Sequence, residues 1–161
     1  MRTEATPAPT IRVPEDWRIE RDPSPEIAIV ALAPPDRTGF SRNIVLTIGP
    51  MTQEWRDAER WQRTAAEAIL SALEDAQLID ASVEEDGFRQ LISYVAEGRA
   101  LTLEQWATIH SAGSDEEGGN QNLTAVTVSA TTPTLAYPDH AEEMCNIAWS
   151  LDVGTGPEER S

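Results

Sequence analysis

IDASVEEDGFRQLISYVAEGRALTLEQWATIH, residues 79–110, decides the fold. Three segments rich in branched and aromatic residues, 79–84, 88–96 and 101–110, are joined at Asp86-Gly87 and Gly98-Arg99. Asp-Gly between alternating segments is a strong hairpin signal, so the stretch predicts an antiparallel meander. Along its third strand Leu101, Leu103, Ala107 and Ile109 point one way, and Thr102, Glu104, Trp106, Thr108 and His110 the other, because side chains alternate faces.

On the N-terminal side a helix is predicted over 53–77, capped by Thr52, with Ala58, Trp61, Ala65, Ile69, Ala72, Leu73 and Ala76 as its apolar stripe. Arg56, Arg60 and Arg63 occupy another face, where Glu59–Arg63 and Arg63–Glu67 have the spacing of ion pairs. Ile11-Arg12-Val13 predicts a short strand. The runs at 27–32 and 44–48 are continuously apolar, as in strands covered on both faces. On the C-terminal side 123–131 alternates, with Val126, Val128 and Ala130 on one face, and a last helix over 138–151 buries Ala141, Met144, Ala148 and Leu151. Strands, helix, strands, helix is an α+β order, with helices packed on a twisted antiparallel sheet. One domain is expected over 11–153, between disordered tails at 1–10 and 154–161.

The charge is one-sided. The net charge is −16 and the chain has no lysine, a composition that points to a GC-rich, actinobacterial genome, with a halophile as the lesser alternative. No basic side chain occurs between Arg99 and Arg160. Such a field repels phosphate backbones and anionic headgroups, so nucleic acid and membrane insertion are set aside; it either favours a basic partner or serves only to keep the protein soluble. No apolar run is long enough to span a bilayer, and residues 1–7 carry no hydrophobic segment or lipidation cysteine. The lone Cys145 leaves no intramolecular disulfide framework. A cytoplasmic protein is the resulting expectation.

Chemistry has little to build on. A structural zinc site needs about four converging Cys or His ligands, and His110, His140 and Cys145 are the only such residues. No catalytic residue, metal ligand or cofactor-binding residue is assigned. Cys145, beside Met144 and flanked by Glu142 and Glu143, reads as a buried structural thiol rather than a nucleophile. No Gly-x-Ser-x-Gly elbow, dinucleotide fingerprint or P-loop lysine is present. The loop 111–121 is oxygen-rich but lacks EF-hand spacing and reads as a mobile connection. Trp106 stands out as a large aromatic on a strand face otherwise made of Thr, Glu and His; either a helix covers it or it anchors a partner. The candidate partner-binding residues are therefore Trp106, Glu104 and His110, with Asp115, Glu116 and Glu117 of the neighbouring loop.

Val13-Pro14-Glu15-Asp16-Trp17 resembles the Pro-x-x-Trp element that opens PsbP-like domains. Gly39-Phe40-Ser41-Arg42-Asn43 resembles their Gly-Phe-x-x-Asn turn into a strand, and Ile147-Ala148-Trp149-Ser150-Leu151 is similar to their closing Ile-x-x-Ser-Leu run. Actinobacterial LpqN-type lipoproteins look most similar within this PsbP-like, Mog-type fold family, although the lipid-anchoring cysteine of those proteins is missing. The resemblance implies a twisted antiparallel sheet between helices and a non-enzymatic role, as in Ran-binding Mog adaptors, a photosystem II subunit and DcrB-type chaperones. It implies that Trp17 is a core aromatic and residues 40–43 a loop-to-strand turn. The expected function is an adaptor or chaperone-like module for a basic or partly hydrophobic protein. An immunity or escort protein for a secreted toxin, and a small-ligand binder or enzyme using the sheet around Trp106 and His110, are the alternatives. A homodimer through a sheet edge is also left open.

Overall fold

The computed structural model describes residues 8–51, 56–111 and 123–154. The strands are β1 (Arg18–Ser24), β2 (Ile27–Leu32), β3 (Asn43–Pro50), β4 (Glu74–Glu84), β5 (Gly87–Ala96), β6 (Arg99–Ser111) and β7 (Leu123–Pro133). The helices are α1 (Ala58–Ala72) and α2 (Tyr137–Trp149). All strands join one antiparallel sheet in the order β1-β2-β3-β7-β6-β5-β4. The fold is α+β, as the meander predicts.

The two helices lie on opposite faces of the sheet. Ala125 and Val126 are neighbours on β7, yet Ala125 packs with Trp61 of α1 and Val126 with Met144 of α2. Under α2, Ile29, Ile44, Leu46, Val126, Val128, Met144 and Ile147 form the larger core with Trp17. Under α1, Trp61 meets Phe88 edge-on at 5.0 Å, an arrangement that favours aromatic pairs beyond area alone. A row of amides continues from there: Gln62 Nε2 donates to Gln90, Gln90 Nε2 to Gln105, and Gln105 Nε2 to Ser129. Buried polar groups are tolerated when each finds a partner, and this row fastens α1 across three strands.

Several expectations are corrected. The segment Ile11-Arg12-Val13 is no strand; Thr10 instead forms an isolated antiparallel bridge with Asp152. β1, unforeseen, is an edge strand whose residues are mostly exposed. The second face of β2 and β3 is only half-buried, since α1 contacts β4 and β5 rather than these strands. α1 starts at Ala58, where Asp57 accepts from Glu59 N and Arg60 N; Thr52 lies outside the described residues. The helix also ends at Ala72, because Glu74, Gln77 and Leu78 are drawn into pairing with β5. Its buried residues are Ala58, Trp61, Gln62 and Ala66, so the stripe is displaced from the predicted one. The pairs Glu59–Arg63 and Arg63–Glu67 are not among the ion pairs of the described residues; exposed pairs gain little to hold long side chains in place. α2 ends at Trp149, leaving Leu151 beyond it, and buries Met144, Ile147 and Ala148.

The turns differ in detail from their sequence signal. Between β4 and β5 the loop is Glu85-Asp86, closed by Glu84 opposite Gly87. Gly87 is required by close approach: a Cβ there would collide with the carbonyl oxygen of Ala107. Between β5 and β6 the loop is Glu97-Gly98, with φ of 52° and 74°, both positive as a type I′ turn demands.

Candidate functional site

The polar face of β6 is a clamp rather than an open surface. Glu104 is buried, with Oε2 accepting from Arg89 Nε at 2.6 Å and Oε1 accepting from Tyr137 Oη at 3.0 Å. Arg89 Nη1 also donates to Asp80 Oδ2 at 3.1 Å. The register places Arg89 opposite Trp106 and Glu104 opposite Leu91, so the pair is a diagonal cross-strand contact. This network joins β4, β5 and β6 to the first residue of α2. Burial works against the Arg89 charge, but its contacts with Glu104 and Asp80 together with the nearby Tyr137 outweigh that and raise the guanidinium pKa. Burial, then the Glu104 carboxylate, raises the Tyr137 hydroxyl; burial likewise raises Tyr94.

The two tyrosines of the chain yield a direct test. Their neutral forms are favoured by folding, so their contribution to stability is complete below about pH 10 and is lost as pH rises through the folded pKa values. Phenolate absorbance is therefore expected to develop at higher pH in the native protein than in urea. Coincident titration curves would contradict the partial burial of both rings.

Of the other expected partner-binding residues, Trp106 is half-buried against the larger core and His110 is half-buried, its Nε2 3.0 Å from Thr108 Oγ1. Glu104, Trp106 and His110 share one face of β6, with Glu104 already held internally. Asp115, Glu116 and Glu117 lie outside the described residues. Cys145 is half-buried rather than buried. Among the described residues no three His, Cys, Asp or Glu side chains are grouped to hold a metal ion, and no helix is long and apolar enough to cross a membrane.

An unforeseen surface lies on the outer side of α2. Trp149 is 75 % exposed. Helical geometry puts it on the row of Glu142, two turns earlier, with Asn146 beside them. Next to this row runs a shallow groove between α2 and the N-terminal segment, lined by Arg12, Pro14, Asp139, Glu142, Glu143 and Ile147, among others. Arg12 N donates to Ser150 Oγ at 2.9 Å across it. Glu143 is held by Arg42 at 2.8 Å, and the Arg42 guanidinium lies 5.8 Å above the Trp17 ring, a cation–π distance. Trp17 thus serves both as core and as platform for the arginine that sets the groove wall. The available sequence signal was that Trp149 falls off the apolar stripe of its own helix.

Among the described residues, seven antiparallel strands lie between two helices on opposite faces, the PsbP/Mog-like fold. No protein-family model and no curated protein matches the sequence. Among solved structures it is similar to LpqN, involved in cell envelope biogenesis of Mycobacterium tuberculosis, at 19 % identity and TM-score 0.56 over 92 % of this chain and 82 % of that one. It is also similar to the Saccharomyces cerevisiae Ran-binding protein Mog1p, at 13 % identity and TM-score 0.56 over 91 % and 90 % of the two chains. PsbP from the cyanobacterium Synechocystis aligns at 14 % identity with TM-score 0.48, over 91 % and 86 %.

Proposed function

We propose that this domain is a non-enzymatic protein-binding module that takes a basic partner on the outer face of α2. The observation that carries this reading is Trp149, a large aromatic exposed on α2, whose own Asp139, Glu142 and Glu143 are acidic, with Glu143 paired to Arg42 and Arg12 across the adjoining groove. Binding energy concentrates at aromatic anchors, while complementary charge steers the partner and sets its salt dependence. The one-sided charge of the C-terminal half supports a basic partner, and the fold shared with a Ran-binding protein is compatible with protein recognition. An adaptor or chaperone-like role in the cytoplasm would use this face to hold its client.

The test compares proteins captured at low and high salt by the wild type and by a Trp149→Ala/Glu142→Arg variant. A stoichiometric basic protein is expected with the wild type at low salt only. Against the variant its affinity should fall about 30-fold, the loss of about 2 kcal/mol typical of an aromatic anchor. Both side chains are exposed, so the melting temperature should be unchanged within about 2 °C. Equal capture by the two proteins would remove α2 as the binding face.

A further inference from the structure

Among the described residues the sheet has two edges with no strand beside them, β1 and β4, and they are not alike. β1 carries a register shift between Arg21 and Ser24, and Pro23 lies within it, devices that blunt an edge. β4 is longer, running from Glu74 to Glu84, and is exposed along nearly its whole length. Its first half is irregular, with register shifts up to Asp80, but Asp80–Glu84 pairs regularly with Gly87–Leu91.

We infer that the Asp80–Glu84 edge of β4 is a strand-addition site for an extended segment in which basic and apolar residues alternate. The two-residue turn makes Glu84 and Gly87 the hydrogen-bonded closing pair, so bonded pairs recur at Ser82 and Asp80. Ala81 and Val83 therefore turn their N–H and C=O groups to the free edge. The Ala81 N–H meets only the carboxylate of its neighbour, Asp80 Oδ1, at 3.0 Å. Side chains sort by face in the same register. Leu78, Ala81 and Val83 lie on the α1 side, with Leu78 and Val83 43 % and 44 % exposed. Asp80, Ser82 and Glu84 lie on the other. An incoming strand would extend the apolar row with one set of side chains and meet Asp80 and Glu84 with the other. Backbone bonds supply affinity in such additions, and alternate side chains supply specificity. A second copy of this chain fits poorly, since it would bring the same acids to the same edge.

This site is separate from the α2 face and is tested separately. The probe is a fluorescent heptapeptide of alternating arginine and valine, titrated against the full chain by anisotropy. It should bind at least tenfold more tightly than a peptide of the same composition with its arginines and valines in two blocks. Val83→Pro removes an outward N–H without breaking a β4–β5 bond and should weaken binding at least tenfold. Glu84→Arg, an exposed change, should weaken it similarly with the melting curve unaltered, so the test survives a misfolded proline variant. Trp149→Ala should leave it unchanged. Equal binding of the two peptides, or unaltered binding to Glu84→Arg, would overturn the inference. A dimer that Val83→Pro or Glu84→Arg converts to monomer would overturn it too, by assigning the edge to a second copy.

Discussion

Gly87→Ala is expected to destabilise the domain by about 3 kcal/mol, a fall of roughly 10 °C in melting temperature. The added Cβ would meet the main chain of β6, the Ala107 carbonyl and the Thr108 Cα, rather than a side chain that can turn aside. Relief requires β5 and β6 to part beside the β4–β5 turn, which would also strain the bond from Ile109 N to the Asp86 carbonyl, 3.0 Å long. Gly98→Ala provides the control. It has open space around it but a φ of 74°, so its cost should be the conformational one, about 1 kcal/mol. Thermal melts of the two variants check the difference. A Gly87→Ala protein as stable as Gly98→Ala would mean that the two strands are not so closely apposed.

Glu104→Ala should cost about 2–3 kcal/mol. Breaking a buried ion pair strands the remaining charge; here Arg89 is a third exposed and keeps Asp80, which moderates the loss. The same substitution deprives the Tyr137 hydroxyl of its acceptor. Glu104→Gln, which can still accept hydrogen bonds, should lose about half as much. Replacing Arg89 and Glu104 together by leucine should recover most of the loss, because apolar pairs of similar volume often match buried ion pairs in stability. Urea denaturation of the single and double variants measures the coupling. Additive losses would show that the two side chains act independently.

The parts of the fold that could be read in advance are those where one local rule dominates. The alternation along β6 and β7 and the turn signals Asp86-Gly87 and Gly98-Arg99, each one residue past the observed loop, specify the meander without help from elsewhere. β1 escaped notice because an edge strand needs few inward apolar residues, and only Ile19 among Arg18–Arg21 packs against the core. The end of α1 departs from its helical spacing for a different reason. Leu73 and Ala76 continue the helical spacing, but β5 needs a partner on its outer side, and tertiary hydrogen bonding overrides local preference. Gly87 was found by a turn rule although packing demands it.

The candidate site was less legible. Glu104 on a polar strand face gives no local sign that Arg89 and Tyr137, one on the preceding strand and one on α2, will converge on it. Trp106, on a polar strand face, suits core and anchor by sequence, and it lies half-buried at the margin of the larger cluster. Trp149 lies inside a motif-like run at the end of α2, and its position off that helix's apolar stripe is the one local sign of its exposure.

The bridge between Thr10 and Asp152 has a mechanical consequence. Two hydrogen bonds, of 2.8 and 2.9 Å, hold these residues in antiparallel register. In that arrangement the chain before Thr10 and the chain after Asp152 leave side by side and in the same direction. A load drawing the two ends apart therefore peels the seam open like a zipper, meeting its bonds in turn instead of shearing them at once. The next contact in line is the Arg12–Ser150 hydrogen bond across the α2 groove. Tension would reach that groove before it reached the sheet, so a domain well anchored in its core would still yield first along the wall that carries Glu143 and Ile147.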